Sequence, residues 1–149
     1  MRRALVLLLL VFPASVDGRV GETLEQCRVR YGQEIATNGE SFVFLRNGFT
    51  VTVWLTSNRV ETIGYSADEA HTLGSDHCIQ FLFMNGGTNR VFEKDDEAGF
   101  AHMHTADGKL TAWTGTNMLV ICTEEKMQRD MARIIAQHKA DLKKQLEGF

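Results

Sequence analysis

His102 and His104 stand two residues apart in a run with strand character, Phe100 to Thr105, so both imidazoles are expected on one face. Imidazole is a common ligand for zinc and copper, and His77, Asp95 or Asp96 would extend the pair toward a ligand set. The spacing fixes no third ligand. A polar strand face beside Phe100 is the simpler account, and no metal or other cofactor is assigned. A cysteine nucleophile would need an activated thiolate and a histidine to take its proton. Cys27 falls in mid-helix and Cys122 ends an apolar strand, which leaves Cys78, near a helix start and beside His77. Its simpler reading is a core or disulfide cysteine, and no catalytic residue is assigned.

The wide spacing of Cys27, Cys78 and Cys122 matches no zinc or CxxC template. An oxidising compartment would favour one disulfide and one leftover thiol, whereas three free thiols would act as small apolar side chains. The chain holds no G-x-S-x-G, H-E-x-x-H or phosphate-binding glycine loop, and the acidic run Glu93, Asp95, Asp96, Glu97 lacks the spacing of a calcium loop. Trp54 offers a different chemistry. Phe49, Val51, Val53 and Leu55 alternate with Thr50, Thr52, Trp54 and Thr56, which places the indole on a wet sheet face. There it can anchor a binding partner, unless the last helix covers that face.

These residues need elements to hold them, and the chain supplies two similar sets. Thr23 and Gln26 form a capping box ahead of a short helix, Leu24 to Tyr31, and Gly32 stops it. After a polar loop near Thr37 to Glu40, the runs Phe42 to Arg46, Phe49 to Thr56 and Arg59 to Tyr65 are joined by Asn47-Gly48 and Ser57-Asn58. Both pairs tolerate the positive φ of two-residue hairpin turns. Ser66 to Gly74 reads as a turn-rich connection. Ser75 then caps a second helix, Asp76 to about Asn85, stopped by Gly86-Gly87. Strand-like runs follow at Arg90 to Glu93, Phe100 to Thr105, Lys109 to Thr114 and Met118 to Cys122, with turns at Asp107-Gly108 and Thr116-Asn117.

From Thr123 the chain turns strongly helical, with Glu124 and Glu125 first and Lys143 and Lys144 last, which suits the helix dipole. Its apolar stripe is Met127, Met131, Ile134, Ile135, His138, Leu142 and Leu146. This spacing is nearer the straight-helix period than a heptad, so packing on a sheet is expected rather than a coiled coil. At about 1.5 Å per residue the helix reaches some 35 Å, the width of a small domain, so its end is expected to project.

Ahead of all this, Met1-Arg2-Arg3, the apolar run Ala4 to Phe12 and the small-residue stretch Pro13 to Gly18 have the form of a signal peptide cleaved after Gly18. The run is too short for a membrane anchor, and no cysteine follows closely enough for a lipid. Residues 19–149 then carry a formal charge of −4 without a basic stripe, which excludes nucleic acid as a main partner. With 44% hydrophobic and 23% charged residues, the composition is that of one folded domain.

The stretch Thr23-Leu24-Glu25-Gln26-Cys27-Arg28-Val29-Arg30-Tyr31-Gly32, with Asn47 to Val51, Val60 to Tyr65, Asp107 to Trp113 and Leu119 to Thr123, resembles small, uncharacterised secreted proteins of bacteria such as the Verrucomicrobia. More remotely, a helix and meander used twice is similar to the β-lactamase-inhibitor-protein fold and the small outer-membrane assembly lipoproteins. Those are binding proteins, so the resemblance implies a binding role; it carries no functional residue across, and the chain departs from the lipoproteins in lacking a lipobox.

The expected fold class is α+β: an antiparallel sheet from two helix-plus-meander units with a long C-terminal helix. The domains are a signal peptide at 1–18, an α+β domain at 19–123 with a possible repeat of 23–65 in 75–122, and an amphipathic helix at 124–149. The expected function is an exported, periplasmic or secreted, non-enzymatic binding or scaffold protein, with a protein partner or self-association through the last helix. A small metal- or thiol-dependent periplasmic enzyme or sensor is the alternative.

Overall fold

The computed structural model describes residues 19–67, 71–86, 92–95 and 101–146; the expected leader, Arg90, Asp96, Glu97 and Phe100 lie outside them. Helix α1 (Leu24–Tyr31) opens on the expected capping box: the Thr23 amide donates to Gln26 Oε1 at 2.8 Å and the Gln26 amide to Thr23 Oγ1 at 3.3 Å. Gly32 ends it with φ +93°, a conformation that favours glycine. Arg28 then donates two hydrogen bonds to Glu34, at 3.0 and 2.6 Å, pinning the exit of the helix and holding the Glu34 carboxyl down at about 2.

The strands are β1 (Ala36–Asn38), β2 (Ser41–Arg46), β3 (Phe49–Thr56) and β4 (Arg59–Ala67), then, after α2 (Ser75–Gly86), β5 (Phe92–Asp95), β6 (Ala101–Thr105), β7 (Leu110–Gly115) and β8 (Met118–Thr123). They form one antiparallel sheet in the order β1-β2-β3-β4-β8-β7-β6-β5. Each half is thus a helix followed by a four-stranded meander. The two meanders join where β4 meets β8, from Thr62 opposite Cys122 to Ser66 opposite Met118. The fold is α+β, as expected. The short polar edge strand β1 takes the place of part of the polar loop expected near Thr37 to Glu40, because Ala-Thr-Asn has no apolar alternation to betray a strand.

One face of the sheet carries Phe44, Val51, Val53, Ile63, Tyr65, Leu119 and Ile121, all nearly or fully buried, with Cys27 and Tyr31 of α1 and Leu82 of α2 in the same core. The Asn47-Gly48 and Ser57-Asn58 hairpins have positive φ at both residues, as a two-residue turn requires. Asp107-Gly108 differs from its expected two-residue turn. The loop spans 106–109, because the buried Thr105 hydroxyl accepts the Leu110 amide at 3.0 Å and donates to Asp107 at 2.7 Å, closing a wider turn with side chains.

Asn117, at φ +58° in the β7–β8 turn, links the halves. Its Oδ1 accepts the Leu73 amide at 2.7 Å, and its Nδ2 donates to the Ala67 carbonyl at 3.2 Å. The end of β4 and the approach to α2 are thereby fixed to the tip of the second meander.

Helix α3 (Glu124–Leu146) corrects one expectation: it does not lie along the sheet. Its first turns touch β7 and β8, and Arg129 bonds Glu61 of β4. From 131 to 144 every residue is exposed, including Met131, Ile134, Ile135 and Leu142 at 45–58%. The helix starts where β8 ends, and beyond its first turns the stripe is left exposed rather than packed on the sheet.

Candidate functional site

Helix α2 rests on the core face through aromatic contacts that leave a cleft at one end. Phe81 stacks on Tyr65 with ring centres 4.0 Å apart and planes within 5°, and meets Phe49 edge-on at 5.5 Å. Asn85, one turn on, donates from Nδ2 to the Tyr65 hydroxyl at 2.9 Å and to the Phe81 carbonyl at 2.8 Å. Between this helix, α1 and the β2–β3 hairpin lies a cavity of about 380 Å³. Phe49, Val51, Phe81 and Met84 line its apolar part, and Arg19, Arg30, Arg46, Asn47, His77 and Gln80 its polar part. That volume falls at the small end of small-molecule sites, roughly 300–1,000 Å³.

The charges in the cleft are unevenly matched. Arg30 is paired with Glu22, which is itself buried. Arg46 is exposed at the mouth. Arg19 is only 7% exposed, and its Nε and Nη1 are buried without a hydrogen-bond partner; its guanidinium lies 5.9 Å above the Tyr31 ring. Asn85 Oδ1 is likewise buried and unpartnered, whereas the buried Tyr31 hydroxyl lies beside the Tyr65 hydroxyl, toward which it donates. Burial pushes the Tyr31 phenol upward, so it stays a neutral donor. Unsatisfied buried polar atoms are uncommon, and those of Arg19 belong to a residue that lines the cleft.

The opposite face carries the other expected residues. Register places Trp54, Thr62, Cys122, Thr111 and His104 in one row, and Thr52, Gly64, Val120, Trp113 and His102 in the next. Trp54 is 39% exposed, its ring lying across Gly64, where an added Cβ would come within 3.4 Å of it. Helix α3 contacts β7 and β8, so the feared covering of Trp54 does not occur. His102 and His104 do share a face: His102 Nε2 lies 2.7 Å from Thr111 Oγ1, and its ring is 5.5 Å from Trp113. His77, by contrast, packs on Phe49 at 5.0 Å, on the other side of the sheet. The ligand set that would join it to His102 and His104 is therefore not assembled, and no group of three metal-ligating residues occurs among the described residues.

All three cysteines are free. Cys27 lies in the core under α1, and Cys122 faces the other side beneath the start of α3, so the sheet separates them. Burial pushes both thiols up to about 12, and burial also raises the Cys78 thiol. A raised thiol is a poor nucleophile at neutral pH. Iodoacetamide at pH 8 is accordingly expected to spare Cys27 and Cys122 in the folded protein, to modify Cys78 slowly, and to modify all three in denaturant. Mass spectrometry of the labelled peptides reads this directly.

No family model matches this chain, and no curated protein matches it. Among solved structures, a cysteine-rich secretory protein from Staphylococcus aureus subsp. aureus Mu50 aligns with a TM-score of 0.43 and 12% identity, over 73% of this chain. The chain spans 46% of the length of that structure. A likeness of this degree carries no argument about either fold or function.

Sequence reasoning placed Trp54 and the histidine pair on sheet faces where the structure has them, but missed the cleft. Its signals are scattered: Arg19 stands before the capping box, Phe49 opens a strand, and Phe81 is one apolar residue of a short helix. An arginine next to a turn reads as surface, and only the tertiary fold buries it.

Proposed function

We propose that this chain is an exported, non-enzymatic binding protein that docks another polypeptide through α3, the simplest partner being a second copy of itself. The observation that carries this reading is the projecting half of α3, whose Met131, Ile134, Ile135 and Leu142 are left uncovered by the body of the protein. Soluble proteins seldom leave a continuous apolar stripe in water unless a partner covers it. The charge pattern favours self-pairing: Glu124 and Glu125 open the helix and Lys143 and Lys144 close it, so an antiparallel copy sets acidic against basic ends. Such a contact uses the same surface twice and closes on itself as a two-fold dimer. Export is supported by the leader-like segment at 1–18. A binding role also agrees with the remote similarity to the β-lactamase-inhibitor-protein fold.

Deleting residues 131–149 tests the proposal. The full chain is expected to show a dimer mass by light scattering, and the shortened chain a monomer with the same β-sheet circular dichroism. A full chain that stays monomeric, or a shortened chain that still dimerises, counts against it.

A further inference from the structure

The geometry points to a ligand for the cleft beneath α2: we infer that it binds a small carboxylate with an apolar body, held by Arg19. The site is built independently of α3. Arg19 is a buried cation with two nitrogens lacking a partner, and it lines the cavity. No carboxylate side chain lines that cavity among the described residues, and the one buried acid nearby, Glu22, is bonded to Arg30. An isolated buried charge is strongly unfavourable unless something pairs with it.

The missing partner is therefore an anion. One buried guanidinium is uncompensated, because Arg30 is already matched and Arg46 sits in solvent, where water satisfies it. In a chain cleaved after Gly18 the α-ammonium of Arg19 adds positive charge at the same place, so the site calls for an anion, and its apolar walls favour a carboxylate on an apolar body over phosphate. The rest of the cavity fixes the other end of the ligand. Phe49, Val51, Phe81 and Met84 offer aromatic and flexible apolar walls, which suit an alkyl or aryl chain rather than a sugar. About 380 Å³ holds a small acid and not a folded partner.

The test is titration of the purified protein with octanoate, octanol and inorganic phosphate, followed by calorimetry and by amide shifts at Phe49 and Phe81. Octanoate is expected to bind saturably at one site, with octanol about 10–100-fold weaker, the value of a charged hydrogen bond. Phosphate is expected not to compete. A peptide ending in phenylalanine, offered as its free acid and its amide, tells whether the carboxylate belongs to a free acid or a chain end; binding of the acid alone supports the site in either case. Arg19→Met keeps the apolar volume and removes the charge. It is expected to abolish the preference of octanoate over octanol while leaving the melting temperature of the unliganded protein unchanged or higher, since an unpaired charge has gone. The inference is overturned by absence of saturable octanoate binding at millimolar concentration, by equal binding of octanol, or by undiminished binding to Arg19→Met. A lowered melting temperature in Arg19→Met would also overturn it, because the guanidinium would then already be satisfied by the protein.

Discussion

Replacing Tyr65 with alanine is expected to remove about 3–5 kcal/mol of stability, a large share of the roughly 5–15 kcal/mol a domain of this kind has. The side chain is 1% exposed and does three things at once. Its ring fills the core between β3 and β8, it receives Phe81 of α2 face to face at 4.0 Å, and its hydroxyl accepts from Asn85. Alanine would open a cavity under α2 and leave the buried Asn85 amide with the Phe81 carbonyl as its remaining acceptor. Urea denaturation measures the loss. Tyr65→Phe serves as the control, since it keeps the stack and removes one hydrogen bond, for an expected loss of about 1–2 kcal/mol. A Tyr65→Ala protein within about 1 kcal/mol of the parent would mean that α2 does not rest on β4 as described.

Asn117→Ala is expected to lose about 1–3 kcal/mol, although its residue lies in a surface turn where substitutions normally matter little. Two causes combine. Its side chain bridges the Leu73 amide, on the approach to α2, and the Ala67 carbonyl, at the end of β4. Its backbone, at φ +58°, is left-handed, which asparagine tolerates far better than alanine. Asn117→Gly separates the two, because it removes the bridge and keeps the backbone comfortable. Hydrogen exchange adds a local readout: the Leu73 amide is expected to exchange faster in both variants. Unchanged exchange at Leu73 would show that the bridge does not hold the α2 approach.

Most of the fold was legible because local rules and tertiary structure agree. The Thr23 capping box, the alternation on Phe49–Thr56 and the turn pairs Asn47-Gly48 and Ser57-Asn58 each specify one element, and each formed where expected. The misreadings fall where local signals are silent. A three-residue strand of Ala36, Thr37 and Asn38 owes its existence to pairing with β2 rather than to its own pattern. The loop at 106–109 depends on where the Thr105 hydroxyl points once buried. For α3, the period correctly gave an amphipathic helix, but amphipathicity does not say whether the apolar stripe meets the same chain or another. The cleft was illegible for a related reason. Its cation, its walls and its polar floor come from residues between 19 and 85 that only the packing of α1 and α2 on one sheet face brings together.

The central claim is that α3 is a binding surface, and the mass of the full chain as a function of concentration tests it most directly. Sedimentation equilibrium is predicted to give a monomer–dimer equilibrium, shifted to monomer when Ile134 and Ile135, both exposed on the stripe, are replaced by glutamate. A strictly monomeric full chain across the accessible range, or a dimer indifferent to those two substitutions, would contradict it.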